Sequence, residues 1–158
     1  EAATGAYAVT PVLAAIAGAE RVFAFTRPTR YGSVETVRGV TEDLASRAGV
    51  AHRIAVVTEK RPEQIGQADV VTNCGHVRAI DREMVSWMRP TAVLPLMYES
   101  WELRDGEVDL DACRERGVRV AGTNERHPNV DVFSYLGPMA VRLLSDAGIP
   151  AYRSHITV

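Results

Sequence analysis

The residues best suited to chemistry fall in four polar clusters. Asn73-Cys-Gly-His76 sets a thiol and an imidazole two residues apart. A thiol beside an imidazolium can have a lowered pKa and act as a nucleophile. His76 can equally serve as a ligand contact or general acid, while burial as an inert structural residue is the ordinary fate of a cysteine such as Cys74. Tyr98-Glu-Ser-Trp-Glu102 carries two carboxylates and two aromatics, a set suited to substrate contact or to covering the end of a sheet. Within it Glu99 is the candidate for orienting Cys74 and His76. Glu125 and His127 make a candidate acid–base pair, or a cap for the next helix, with Asn129 or Asp131 at its start. Arg27 and Arg30, with Tyr31, Gly32 and Ser33, precede a helical pattern. Two guanidiniums beside a helix N-terminus suit a phosphate or carboxylate, and a solvated loop with a helix cap is the plainer alternative.

These clusters share a position in the pattern, because each comes after an apolar run. Residues 21–26, 52–58, 68–72, 91–97 and 118–121 read as strands, and helical spacing or helix signals separate them. Ser33 is a candidate N-cap for a helix placing Val34, Val37, Thr41 and Leu44 on one face, and Gly49 stops it. Pro62 opens a short helix. Asp81 caps another that carries Met84, Val85 and Met88 and closes before Pro90. Pro95 cannot donate to a ladder, which favours an edge or bulge there. A helix over 109–116 faces Leu110 and Cys113 inward. A longer one over 130–146 buries Val132, Leu136, Met139 and Leu143, and Gly148 closes it. Near the front, Thr10 and Pro11 start a helix carrying Val12, Leu13 and Ile16.

Strands alternating with helices imply a doubly wound α/β domain. The expected architecture is three layers, α/β/α, around a mostly parallel sheet of five or more strands, in one domain over 1–158. In such sheets ligands bind beyond the carboxyl ends of the strands, so the four clusters are expected to share one crevice. The stretch 154–158 reads as a further strand, and a helix precedes the first one. Both suggest a segment of a longer polypeptide, or a strand left to pair with a partner chain such as a second copy in a homodimer.

Composition excludes several classes. The 158 residues include 18 basic and 20 acidic ones, a net charge of −2, with no electrostatic footprint for nucleic acid or an anionic membrane. Hydrophobic residues reach 46%, enough for a packed core. Lys60 is the single lysine, a bias read as genomic composition. Cys74 and Cys113 make neither a metal-ligand pair nor a disulfide framework. No apolar run spans a bilayer and no signal peptide is present, so a cytoplasmic location without a metal is expected. Gly5 alone stands where a dinucleotide fingerprint would need G-x-G-x-x-G.

Residues 68–144 resemble the D-isomer-specific 2-hydroxyacid dehydrogenases. The features shared with their substrate-side domain are the strand 68–72 followed by a short loop, the segment Val108-Asp-Leu-Asp-Ala-Cys-Arg-Glu-Arg-Gly-Val-Arg-Val120, and an asparagine-containing loop before a long helix. The family's Gly-Val-Gly-x-Asp turn is replaced by residues 98–106, and its catalytic Arg, Glu and His have no counterpart. The same stretch can also be laid on the family's Rossmann-like cofactor domain, through Met88-Arg-Pro-Thr-Ala-Val-Leu94 and the helix 109–117. The resemblance implies NAD or NADP as cofactor and a small hydroxy or keto acid, or a carbonyl compound, as substrate. On this reading Asn73, Cys74, Gly75, Tyr98 and Asn124 are candidate substrate contacts. Arg27, Arg30 and Ser33 are candidate cofactor contacts, where arginines after a strand can accept the extra phosphate of NADP. His76, Glu99, Glu125 and His127 are the catalytic candidates. A transferase or Cys-dependent hydrolase on the same architecture, or a non-catalytic ligand- or partner-binding module, are the alternatives.

Overall fold

A computed structural model describes residues 1–131, 133–153 and 155. It contains four strands, β1 (Val22–Phe25), β2 (Ile54–Val57), β3 (Val93–Glu99) and β4 (Arg119–Thr123). Six α-helices accompany them: α1 (Thr10–Ile16), α2 (Val34–Arg47), α3 (Pro62–Ile65), α4 (Arg82–Trp87), α5 (Leu110–Arg116) and α6 (Leu136–Asp146). Two compact units result, Glu1–Gly122 and Thr123–Val158.

The expected doubly wound sheet of five or more strands is not formed. β1 and β2 pair in parallel, from Val22 opposite Ile54 to Phe25 opposite Val57. β3 and β4 make a separate two-stranded parallel sheet. The expected strand 68–72 is reduced to one parallel bridge, Val70 to Val93. Its ladder begins normally, with Val71 N–H donating to Val93 O at 3.0 Å and Val93 N–H to Asp69 O at 2.9 Å. In a parallel pair, alternate N–H groups of a strand face the same neighbour. The next donor after Val93 is therefore residue 95, a proline with no N–H. The one after that, Met97 N–H, goes to the Asn73 side chain at 2.9 Å instead of to backbone. The ladder thus lacks the two backbone rungs that β3 would donate after Val93. The expected strand 154–158 lies outside the described residues, apart from His155.

Local signals set most helix ends. The Ser33 hydroxyl accepts from Thr36 N–H at 3.2 Å, Asp81 from Met84 N–H at 2.9 Å and Asp109 from Ala112 N–H at 2.7 Å, each the N-cap of α2, α4 or α5. Gly117, at φ 84°, ends α5 in the left-handed conformation. The helix expected over 130–146 starts only at Leu136, after a run of turns. Its Leu136, Met139 and Leu143 are exposed rather than buried, and Val132 is outside the described residues. Leu110 is likewise exposed, while Cys113 is buried as expected.

Alternation along β1 divides the interior of the first unit. Ala24 packs with Ala2, Val56 and Val37 of α2. Phe23 and Phe25 turn to the other face and join the main core, with Ile65, Met84, Val85, Met88, Leu94, Leu96 and Cys113. α3, α4 and α5 supply the helical side of that core and β3 its sheet side. On the opposite face of β3, Pro95 and Met97 are exposed. Arginines stitch the layers by donating to backbone carbonyls. Arg38 Nη1 reaches Val56 O at 3.1 Å, Arg53 Nη1 reaches Ala15 O at 3.3 Å and Arg116 Nε reaches Met88 O at 2.9 Å.

Leu94→Ala, at a fully buried position, should cost about 2–5 kcal/mol of unfolding free energy. Leu13→Ala, on the exposed side of α1, should change it by no more than about 0.5 kcal/mol. Urea titrations followed by circular dichroism measure both.

Candidate functional site

The loops that leave β1, β2 and the 69–73 segment carry the side chains of interest. Asn73 is fully buried. Its Oδ1 takes the Met97 N–H that the broken ladder frees, while its Nδ2 has no hydrogen-bond partner. This one bond fixes where the 73–76 turn leaves the sheet. Cys74 comes next, also buried. Its Sγ lies 3.0 Å from the Glu1 nitrogen, which donates to it, and 3.1 Å from Thr72 Oγ1. His76 N–H donates to Glu1 Oε2 at 2.8 Å, and His76 Nδ1 is buried without a partner. A Cβ at Gly75 would lie 2.8 Å from Glu1 Oε2, so a larger residue there would push the tip of this carboxylate side chain aside. Ala2 N–H donates to Phe25 O at 2.8 Å, which holds residues 1 and 2 beside β1.

Cys74 and His76 are therefore held by different groups, and their pairing as nucleophile and base is not built. Thr26, directly after β1, is a further buried residue whose hydroxyl has no partner. Arg27 beside it is exposed. Arg30 hydrogen-bonds the Tyr31 hydroxyl and stacks over that ring, 4.7 Å from its centroid, and Ser33 is engaged as the α2 cap. The three cofactor candidates thus differ in what they already hold, and only Arg27 is uncommitted.

Lys60, just after β2, is not marked by any sequence motif, although it is the single lysine of the chain. Its ammonium donates to Ala79 O at 2.7 Å. Burial lowers its pKa, with Asp81 opposing and Arg27 adding to the shift. Burial likewise lowers the pKa of His76; Glu1 opposes this and Arg27 reinforces it. Arg27 thus bears on both groups.

At the end of β3, Tyr98 donates its hydroxyl to Glu107, which also receives Arg78 as an ion pair. No sequence motif marks Glu107, because its partners come from positions 78 and 98. Glu99 is buried. Trp101, its neighbour in the same cluster, is exposed.

The remaining candidates belong to the second unit and have local roles there. Asn124 Oδ1 accepts from Arg126 N–H at 3.1 Å, and His127 Nδ1 accepts from Asn129 N–H at 3.2 Å. Glu125 is half-buried. Among the described residues no group of histidine, cysteine and carboxylate side chains is arranged to hold a metal ion, and no helix is long and apolar enough to cross a membrane.

This geometry has two measurable outcomes. Asn73→Ala, which strands the Met97 N–H, should lower stability by about 1–3 kcal/mol, read from the urea midpoint. The lowered pKa of His76 means that the unfolded chain takes up its proton more readily than the folded one. Its contribution to stability is present above the unfolded value of about 6.5 and is lost as pH falls through the lower folded value. The melting temperature should therefore drop between neutral and mildly acidic pH, and His76→Gln should flatten that part of the profile. An unchanged slope in the variant would contradict this assignment. No protein-family model, curated protein or solved structure matches this chain.

Proposed function

We propose that this chain is a domain of an NAD(P)-dependent oxidoreductase acting on a small hydroxy or keto acid or a carbonyl compound. The observation that carries the reading is the set of buried, unpaired polar groups just beyond the apolar runs: Thr26 Oγ1, Asn73 Nδ2 and His76 Nδ1. Burying such groups without partners is costly, and ligands of α/β folds bind where strands end. The resemblance of residues 68–144 to the 2-hydroxyacid dehydrogenases supplies the reaction class.

The residues present fit a phosphate-bearing cofactor at one end. Ser33 caps α2 with its N-terminus toward the loop of Arg27 and Arg30, a setting favourable to phosphate. Gly5 has φ 65° and nothing within 4 Å of where its Cβ would be, which leaves the chain open to close approach there. The further glycines of a dinucleotide turn are missing, so the fit is to the Arg27 end. A bound nicotinamide would supply the hydride acceptor or donor. This chain would take up the proton: His76, its pKa lowered, is neutral near pH 7 and can accept the one that a substrate hydroxyl releases. Asn73, Gly75 and Tyr98 would position the substrate with Cys74, and Glu99 is a second acid–base candidate. Asn124, Glu125 and His127 are the candidates that the second unit holds.

A second reading, a module that binds a partner chain, has one observation in its favour. α6 leaves Leu136, Met139 and Leu143 exposed, and a helix that is apolar and uncovered is unusual in isolation.

Titration of the chain with NADPH and NADH, followed by quenching of Trp87 and Trp101 fluorescence, tests the first reading. Saturable quenching is expected, and its loss of roughly tenfold in affinity in Arg27→Gln would fit a charged hydrogen bond. No saturation by either nucleotide at millimolar concentration, together with a dimer by light scattering, would instead favour the partner-binding module.

A further inference from the structure

We infer that Arg27, Lys60 and His76 form a subsite for an oxyanion, a phosphate or a carboxylate. Three separate loops supply them: one after β1, one after β2 and one after the 69–73 segment. Lys60 Nζ, donating to Ala79 O at 2.7 Å, ties the second loop onto the third. That bond leaves two of the three ammonium hydrogens available. Thr26 N–H donates to Val57 O at 2.9 Å, which sets the Arg27 loop beside the Lys60 loop. Ala2 N–H on Phe25 O at 2.8 Å and His76 N–H on Glu1 Oε2 at 2.8 Å bring the 73–76 turn to the same end of β1. The Arg27 charge accordingly acts on both Lys60 and His76.

Two carboxylates also face this group, and each already accepts a backbone N–H. Asp81, which acts on Lys60, accepts Met84 N–H at 2.9 Å as the cap of α4. Glu1, which acts on His76, accepts His76 N–H at 2.8 Å. Neither pairs with Arg27, whose guanidinium has no hydrogen bond or ion pair among the described residues. Other arginines of this chain do find carboxylates, as in Arg82 with Glu115 at 2.6 Å and Arg89 with Asp69 at 2.8 Å. One further group adjoins the cluster without a partner, Thr26 Oγ1, on a residue only 2% exposed, and within the cluster His76 Nδ1 is likewise buried and unpartnered. Cations brought together raise one another's energy, and a shared oxyanion relieves that repulsion through charge-assisted hydrogen bonds. The subsite deepens the oxidoreductase reading and rests on it only for where the anion comes from, a cofactor phosphate or a substrate carboxylate.

Calorimetric titration of the full chain at low ionic strength tests it, with inorganic phosphate, oxalate, NADPH and NADH as probes. Phosphate or oxalate should bind, about tenfold or more weakly to Arg27→Gln and Lys60→Gln. Arg104→Gln, an exposed arginine outside the cluster, should bind as the parent does, and Arg27→Lys should recover part of the loss. Melting curves establish that each variant is folded. Displacement of phosphate by NADPH and not by NADH would assign the anion to the cofactor. Oxalate bound alongside either dinucleotide would assign it to the substrate. Anion binding that depends on Arg27 and Lys60, without any dinucleotide binding, would keep the subsite and overturn the oxidoreductase reading. Dinucleotide binding with no phosphate or oxalate bound, or anion binding unchanged in both glutamine variants, would overturn the subsite alone.

Discussion

A missing donor at Pro95 governs the middle of the first unit. β3 offers its alternate N–H groups toward the 69–73 segment, and the second of them does not exist. The first rung, Val93 N–H to Asp69 O, still forms at 2.9 Å. Beyond the gap the chain cannot continue as a strand, and the Asn73 carboxamide takes over by accepting Met97 N–H. A side-chain bond in place of a backbone rung lets the main chain turn away one residue earlier. It also leaves the amide nitrogen of Asn73 buried and unused. The break in the sheet and the start of the candidate site are therefore one event.

The path of residues 74–80 depends on that turn. Cys74, Gly75 and His76 close on Glu1, whose carboxylate lies against Gly75 where a Cβ would displace it. Val77 and Ile80 then return to the main core, and Ile80 bridges to Val108. Lys60 closes the far side by bonding Ala79 O. The turn is thus anchored at both ends by buried apolar side chains and across its middle by charge. Polar groups that stay unpaired inside such a frame keep a fixed direction, which is what a binding or proton-transfer group needs.

Much of this architecture is legible in the sequence, and the reasons are local. Ser33 and Asp81 are readable as caps because a cap acts on an N–H two or three residues away, whereas Asp109, read as the first residue of its helix, is its cap. Gly49 and Gly117 are readable as stops for the same reason. The face of α2 carrying Val37 and Thr41 is set by period alone. Sheet continuity is not readable, although Pro95 signals an edge or bulge. Its effect depends on which neighbour its missing N–H would have faced, a long-range property. The start of α6 is misread for a related reason. Helical spacing over 130–146 says what a helix would look like, not whether packing pulls the turn residues 133–135 into it. Lys60 escapes notice because its loop has no motif, and only the path of Ala79 brings an acceptor to it. Arg27, Asn73 and His76 stand out because strand ends are predictable even when the strand itself is interrupted.

The distribution of unmet polar groups carries the last step. Among the described residues, the buried side-chain atoms without partners are Thr26 Oγ1, Asn73 Nδ2, His76 Nδ1 and Gln64 Oε1. Each such atom costs on the order of 1–3 kcal/mol, and a domain has about 5–15 kcal/mol of stability in total. Random tolerance would scatter these costs over the structure. Instead three of the four sit where β1 and the 69–73 segment give way to loops, beside an arginine that no carboxylate neutralises. The apolar packing of Leu94, Met84 and Met88 stabilises a frame whose least satisfied groups are gathered at one edge. Local rules are broken together there, where β1 and the 69–73 segment end, and nowhere else among the described residues are so many buried polar groups left unmet at one edge.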